Sequence, residues 1–259
     1  MLNYQVIKTH DHDHWIVLLH GLGGNSSIWY KQKNELSQHF NLLFVDLHGH
    51  GESELKDHKY RPTSLDEVSK DVVTILDNEN IENACFMGVS LGSIIARHIA
   101  IIAPERVRCL ILCGSVLYFN IKSRILLELA NINRYFLDYM NLYKLFSKVI
   151  MPKKNHEKSR SVFIREAKKL QPKDFLFWFH FLKDAKSHYH KFKMSNIKLP
   201  SLHILGNEDH IFIKTAKKEA EKCVHSSIKI IEDAGHLCNI DSPNEYNKIA
   251  VDYIRNHFS

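Results

Sequence analysis

Gly88-Val89-Ser90-Leu91-Gly92 sets a serine between two glycines, after the apolar stretch Ala84 to Val89 and before the helix-patterned stretch Leu91 to Ala103. A serine on so tight a strand-to-helix turn presents its hydroxyl clear of its neighbours, and the flanking glycines avoid collisions that side chains would cause. A hydroxyl is a poor nucleophile at neutral pH. Acyl transfer at Ser90 therefore needs a histidine base within hydrogen-bond reach and a carboxylate to orient it. Among eighteen histidines, position selects His236, because Asp233-Ala234-Gly235-His236 follows the apolar stretch Ile228 to Ile231 and so falls on a loop at a strand's carboxyl end. Asp209, in Gly206-Asn207-Glu208-Asp209 after Leu202 to Leu205, has the equivalent place one strand earlier, with Glu208 as the competing acid. Amide N–H groups must also face the developing oxyanion. The expected donors are Leu91, first in the helix after the nucleophile, and Leu22, in the turn His20-Gly21-Leu22-Gly23-Gly24.

Two histidine strings, His10-x-His12-x-His14 and His48-x-His50, alternate as metal ligands can. The first reads as an exposed turn, and the second lacks the Asp-His continuation of a binuclear zinc hydrolase. Gly21-x-Gly23 followed by Ser26 falls short of a dinucleotide fingerprint. Neither a metal nor another cofactor is expected.

The elements that must position these residues follow from hydrophobic period. Trp15 to Leu19, Leu42 to Val45, Ala84 to Val89 and Val107 to Cys113 are near-continuous apolar runs, the mark of parallel strands buried on both faces. Tyr4 to Lys8 predicts an edge strand, joined to the next by a turn at His10 to His14. Leu65, Val68, Val72, Ile75 and Leu76 recur at helical spacing, with Ser64 and Glu67 placed as a capping box. After Ser115 the alternation stops. The next stretch is helical in pattern and holds 15 of the 27 aromatic residues; from Asn120 to Lys198 there are 18 Lys and Arg against 6 Asp and Glu. Beyond Pro200 the alternation resumes with strand Leu202 to Leu205, helix Lys214 to Cys223, strand Ile228 to Ile231 and helix Pro243 to His257.

The fold predicted is α/β: a mostly parallel sheet with helices on both faces, formed by residues 1–116 and 198–259. A helical cap, or lid, at 117–197 interrupts it after about the sixth strand and lies over the carboxyl ends of the strands, where such sheets bind ligands. Phe175 to Leu182 is apolar on nearly every side of a helix, so it packs the cap on the core, walls an acyl pocket or faces a membrane.

With 259 residues, 44% hydrophobic and 25% charged, the chain is an ordinary globular domain with an insertion. The N-terminus does not resemble a secretory signal, and the apolar runs fall short of the roughly 20 residues that span a bilayer. Five cysteines, an odd number without C-x-x-C spacing, are expected as buried free thiols in a reducing compartment, which points to a cytoplasmic protein. The positive balance of the cap suggests an anionic partner: an acyl carrier protein, a coenzyme A ester or an anionic lipid surface. No nucleic-acid-binding module is visible.

Taken together, His20 to Gly24, Asp46-Leu47-His48-Gly49-His50-Gly51-Glu52-Ser53, Gly88 to Gly92, Gly206 to Asp209 and Gly235-His236 resemble the ordered landmarks of the α/β-hydrolase superfamily, in particular its small capped esterases. The resemblance spans residues 15 to 257 apart from the cap. It implies a serine hydrolase of carboxylic esters that works without cofactor, through Ser90, Asp209 and His236 with the Leu22 and Leu91 amides as oxyanion hole. Thioesterases, carbon–carbon bond hydrolases, certain lyases and weakly catalytic ligand receptors share this framework. Two positions depart from the common pattern: His48, where relatives often carry Pro or Arg, and Ser93, where many have Gly.

Overall fold

Seven strands form one sheet in the computed structural model, which describes residues 2–9, 11, 13–53, 62–117, 121, 125, 128, 138–185 and 194–258. The strands are β1 (Tyr4–Ile7), β2 (Trp15–Leu19), β3 (Asn41–Val45), β4 (Ala84–Val89), β5 (Val107–Cys113), β6 (Ser201–Gly206) and β7 (Ser226–Ile231). Their order is β1-β3-β2-β4-β5-β6-β7. All pairings are parallel except β1 with β3. Every residue of β2, β3 and β4 is buried, as continuous apolar runs require when helices cover both faces.

This order places the site. From β2 the chain crosses to β3 on one side and then to β4 on the other, so the loops leaving the carboxyl ends of β2 and β4 part and leave a crevice between them. Leu19 lies in register with Gly88, which brings the His20 to Gly24 turn beside the Ser90 turn.

Nine α-helices have both ends among the described residues: α1 (Lys33–Ser37), α2 (Leu65–Asn78), α3 (Leu91–Ile102), α4 (Tyr139–Ile150), α5 (Glu157–Ala167), α6 (Pro172–Ala185), α7 (Ile213–Ala220), α8 (Cys238–Asp241) and α9 (Pro243–Phe258). The expected stripe of α2 is buried. Its capping box is half made. Ser64 Oγ accepts from the Glu67 N–H at 3.3 Å, whereas the Glu67 carboxylate reaches one residue further back, to the Thr63 N–H at 2.7 Å. Helices α4, α5 and α6 lie between β5 and β6, within the stretch whose pattern predicts a helical insertion.

Three expectations need correction. The insertion follows the fifth strand, not about the sixth. β1 does not form a hairpin with β2, because both edges of β2 are occupied by β3 and β4; the free edge is the outer side of β3, where Tyr4 lies opposite Val45. The residues between β1 and β2 therefore form a crossover, of which His10 and His12 lie outside the described residues, as does part of 117–197. Finally, Cys85 and Cys109 form a disulfide rather than lying as free thiols. They face each other in register on β4 and β5 with Cα atoms 4.6 Å apart, within a disulfide's span. Cys113, Cys223 and Cys238 are buried and free. Among the described residues no helix is long and apolar enough to cross a membrane.

Candidate active site

Ser90 occupies the turn between β4 and α3 with φ 51° and ψ −109°, a conformation that a residue with a side chain adopts only when its surroundings enforce it. The enforcement is visible. The Ser90 N–H donates to the Cys113 carbonyl at 3.1 Å, and its own carbonyl accepts the Ser93 N–H at 3.0 Å and the Ser93 hydroxyl at 2.6 Å. A Cβ on Gly92 would strike the backbone at Leu19 and His20, so only glycine lets α3 start this close to β2. Ser93, the departure from the common glycine, braces this turn. Besides donating to Ser90, its hydroxyl accepts the Val116 N–H at 3.3 Å and ties the turn to the chain leaving β5.

His236 and Asp209 meet as their positions at the ends of β7 and β6 suggest. His236 Nδ1 donates to Asp209 Oδ2 at 2.8 Å, and both side chains are buried. Asp209 Oδ1 accepts the Phe212 N–H at 3.1 Å, and the Phe212 ring lies 5.1 Å from the imidazole. With Nδ1 donating to a carboxylate, Nε2 is left as the basic nitrogen. Glu208 is turned elsewhere: it binds His156 Nε2 and Asn155 Nδ2, each at 2.8 Å, and pairs with Lys153, all three from the insertion.

The turn after β2 is held by two neutral histidines. His20 Nε2 accepts the Leu47 N–H at 2.9 Å, so Nδ1 carries the proton and donates to the Gly21 carbonyl at 2.8 Å. His50 Nε2 accepts the Gly23 N–H at 3.0 Å, and its Nδ1 donates to the His48 carbonyl at 3.0 Å. Burial pushes both below the ordinary histidine range; the proximity of His20 adds to the effect on His50. Three of the four ring nitrogens of His48-x-His50 are thus spent on structure, with His48 Nε2 on Asp71 at 2.9 Å. Among the described residues no group of three or more His, Cys, Asp and Glu could hold a metal ion.

Gly21, Leu22, Ser90, Leu91 and His236 all line one cavity. The Leu22 and Leu91 amides have no protein acceptor among the described residues, so both are free to donate to a ligand there. The insertion supplies one side of the wall, Leu142, Phe146 and Ile150 of α4, Val162 and Phe163 of α5, Phe175, Phe179 and Leu182 of α6, and the core supplies the other, Ile28, Ile94, Val116, Phe212 and Leu237 among them. Every one is apolar. The apolar run of α6 therefore plays two parts, since Phe175, Phe179 and Leu182 face the cavity while the Trp178 Nε1–H reaches the His48 carbonyl at 2.7 Å.

Polar bonds fasten the insertion onto the site loops. The Tyr143 hydroxyl donates to the Leu22 carbonyl at 2.9 Å. Asn25 Nδ2 donates to Glu166 at 2.8 Å, and Asn155 Nδ2 to the Asp233 carbonyl at 2.8 Å. Sequence reasoning missed Tyr143 and His156 as parts of the site, since nothing in their local pattern marks them, and it took His50 only as a member of the Asp46 to Ser53 turn and of a possible metal pair, not as a support of the turn after β2.

The family model for the alpha/beta hydrolase fold matches residues 14–243. The chain is 30% identical to the pimeloyl-[acyl-carrier protein] methyl ester esterase of Wigglesworthia glossinidia brevipalpis, over 93% of each chain. It is 40% identical to the protein of that name from Pseudoalteromonas atlantica over a shorter stretch, 38% of this chain and 36% of that one. Among solved structures, the enol-lactonase from Burkholderia xenovorans LB400 superposes with a TM-score of 0.81 at 23% identity, covering 98% of this chain and 96% of that one. The sheet order, the strained turn at Ser90 and the match over residues 14–243 lead to one assignment: the chain belongs to the α/β-hydrolase fold family.

Proposed function

We propose that this protein is a serine hydrolase of carboxylic esters, and that its substrate is an apolar acyl ester presented on an acyl carrier protein. The observation that carries the reading is that Ser90 and the Asp209-tethered His236 open into one cavity beside two unoccupied amides, under a wholly apolar wall. Ser90 Oγ attacks the ester carbonyl while its proton passes to His236 Nε2, and Asp209 stabilises the imidazolium. The Leu22 and Leu91 amides hold the tetrahedral oxyanion. When it collapses, the carbon–oxygen bond to the leaving group breaks, and His236 returns the proton to the departing alcohol. Water then repeats the cycle on the acyl-enzyme and releases the acid.

The carrier rests on two supports. Relatives similar to this chain are named for an acyl-carrier-protein ester, and the stretch from α4 to α6, whose apolar side chains wall the cavity, exposes Lys144, Lys148, Lys154, Lys158, Lys168 and Lys173. In this reading residues 117–197 act as the lid. A cytoplasmic location belongs to the same reading, and the Cys85–Cys109 disulfide weighs against it; a count of three free thiols in protein denatured directly from cells would place the protein in an oxidising compartment.

The test has two arms. A fluorophosphonate probe should label wild type and not Ser90→Ala, and labelling of the variant would remove Ser90 from the mechanism. Hydrolysis of a methyl ester on an acyl carrier protein should weaken with salt far more than that of a short neutral methyl ester; equal salt dependence would remove the carrier.

A further inference from the structure

The Leu22 amide is an oxyanion donor only if the peptides around it are held still, and the structure holds them from both sides. The preceding peptide, Gly21–Leu22, has its carbonyl bound by His20 Nδ1 at 2.8 Å and by the Gly24 N–H at 3.0 Å. The following peptide, Leu22–Gly23, has its carbonyl bound by the Tyr143 hydroxyl at 2.9 Å and its N–H bound to His50 Nε2 at 3.0 Å. Both peptide planes flanking the Leu22 α-carbon are therefore clamped.

The clamps are themselves rigid. Tyr143 is fully buried, its ring stacked on Phe163 at 4.4 Å and edge-on to Phe175 at 5.8 Å. Gly23 has φ +74°, and a Cβ there would fall on the Tyr143 hydroxyl, so loop and hydroxyl are fitted to each other. His50 is fixed through the His48 carbonyl, which also receives the Trp178 N–H. Tyr143 and Trp178 belong to the insertion, whereas His20 and His50 belong to the sheet loops.

We propose that Tyr143 and His50 are positioning residues of the oxyanion hole, gripping the Leu22–Gly23 peptide so that the Leu22 amide faces the reacting carbonyl, and that the hole is complete only when the insertion is docked. The inference rests on Ser90 being the nucleophile. The insertion then contributes to the rate of the chemical step and not only to the shape of the pocket.

Tyr143→Phe keeps the ring and removes the one donor. With a short neutral methyl ester, its kcat should fall about 10- to 100-fold at unchanged KM, because misplacing an oxyanion donor costs transition-state binding and not substrate binding. Fluorophosphonate labelling of Ser90 should slow in the same proportion, while the melting temperature stays within a few degrees of wild type. His50→Leu should give the same kcat loss from the opposite side, with His50→Gln, whose amide oxygen can accept the Gly23 N–H, recovering part of it. A wild-type kcat in both Tyr143→Phe and His50→Leu, or a raised KM at wild-type kcat, overturns the proposal while Ser90→Ala stays inactive. Activity persisting in Ser90→Ala overturns this inference and the serine reading together.

Discussion

Asp209 and Glu208 are neighbours in sequence whose carboxylates serve different ends. Asp209 faces inward and receives the Phe212 N–H and His236 Nδ1; Glu208 faces the insertion and binds His156 and Asn155. Asp209→Asn should lower kcat by about 10³- to 10⁴-fold, because an amide stabilises the wrong imidazole tautomer. Glu208→Gln should leave kcat within about tenfold and lower the melting temperature, and side-by-side kinetics and thermal melts check both. The loop Gly206 to Asp209 is recognisable in the sequence because strand, turn and acid are contiguous. Which acid faces inward is harder to read, since adjacent residues on an irregular turn have no fixed period to sort them. Tyr143 and His50 are illegible for a related reason: their hydrogen-bond partners at Leu22 and Gly23 are supplied by another element, and hydrophobic pattern carries no record of that.

Among the elements, the insertion is the one whose attachment invites measurement. Glu166 of α5 is buried yet ionised: burial works to raise its pKa, but hydrogen bonds from Lys169, Arg165 and Asn25 together outweigh it and hold the carboxyl at about 2. A carboxyl depressed in the folded state stabilises above its unfolded value near 4.5, and that contribution is lost as pH falls toward about 2. The stability gap between wild type and Glu166→Gln should thus be full above about pH 5 and shrink below 4.5, as read from denaturant midpoints. The cavity wall gives a second expectation. Phe146, half-buried on α4, lines the cavity, and Phe146→Ala should favour longer acyl chains over short ones by about tenfold in kcat/KM, measured across a chain-length series. That the insertion is helical and aromatic can be read from composition and period. Which aromatics face the cavity cannot, because α6 is apolar on nearly all sides: Phe175 and Phe179 turn to the cavity, while Phe177 and Phe181 pack against the core.

At the scale of the whole molecule, the histidines set the acid limit of the fold. His20, His50 and His203 are fully buried, and burial lowers each of them, His203 to about 3 with the Arg97 charge assisting. The unfolded chain binds these protons near 6.5 while the folded chain refuses them. Stability is therefore complete above about 6.5 and falls as pH drops below it, by up to about 1.4 kcal/mol per pH unit for each histidine kept neutral. Urea unfolding between about pH 8 and 5 should show this decline, and a flat profile would mean these rings are protonated in the fold. The α/β class, the strands β2 to β7 and the helices α2, α3, α7 and α9 are legible because buried parallel strands and amphipathic helices announce themselves locally. The partner of β1 and the Cys85–Cys109 bond are not, since both depend on sheet order, which no single segment encodes.

Tyr143 gives the insertion a role that matters for anyone remodelling this protein. An insertion that supplied only walls could be exchanged for another to change chain-length preference with turnover intact. Here the hydroxyl that grips the Leu22 carbonyl travels with the wall. A chimaera built on this core with a foreign roof should accept new substrates and convert them slowly until a donor is rebuilt opposite Gly23.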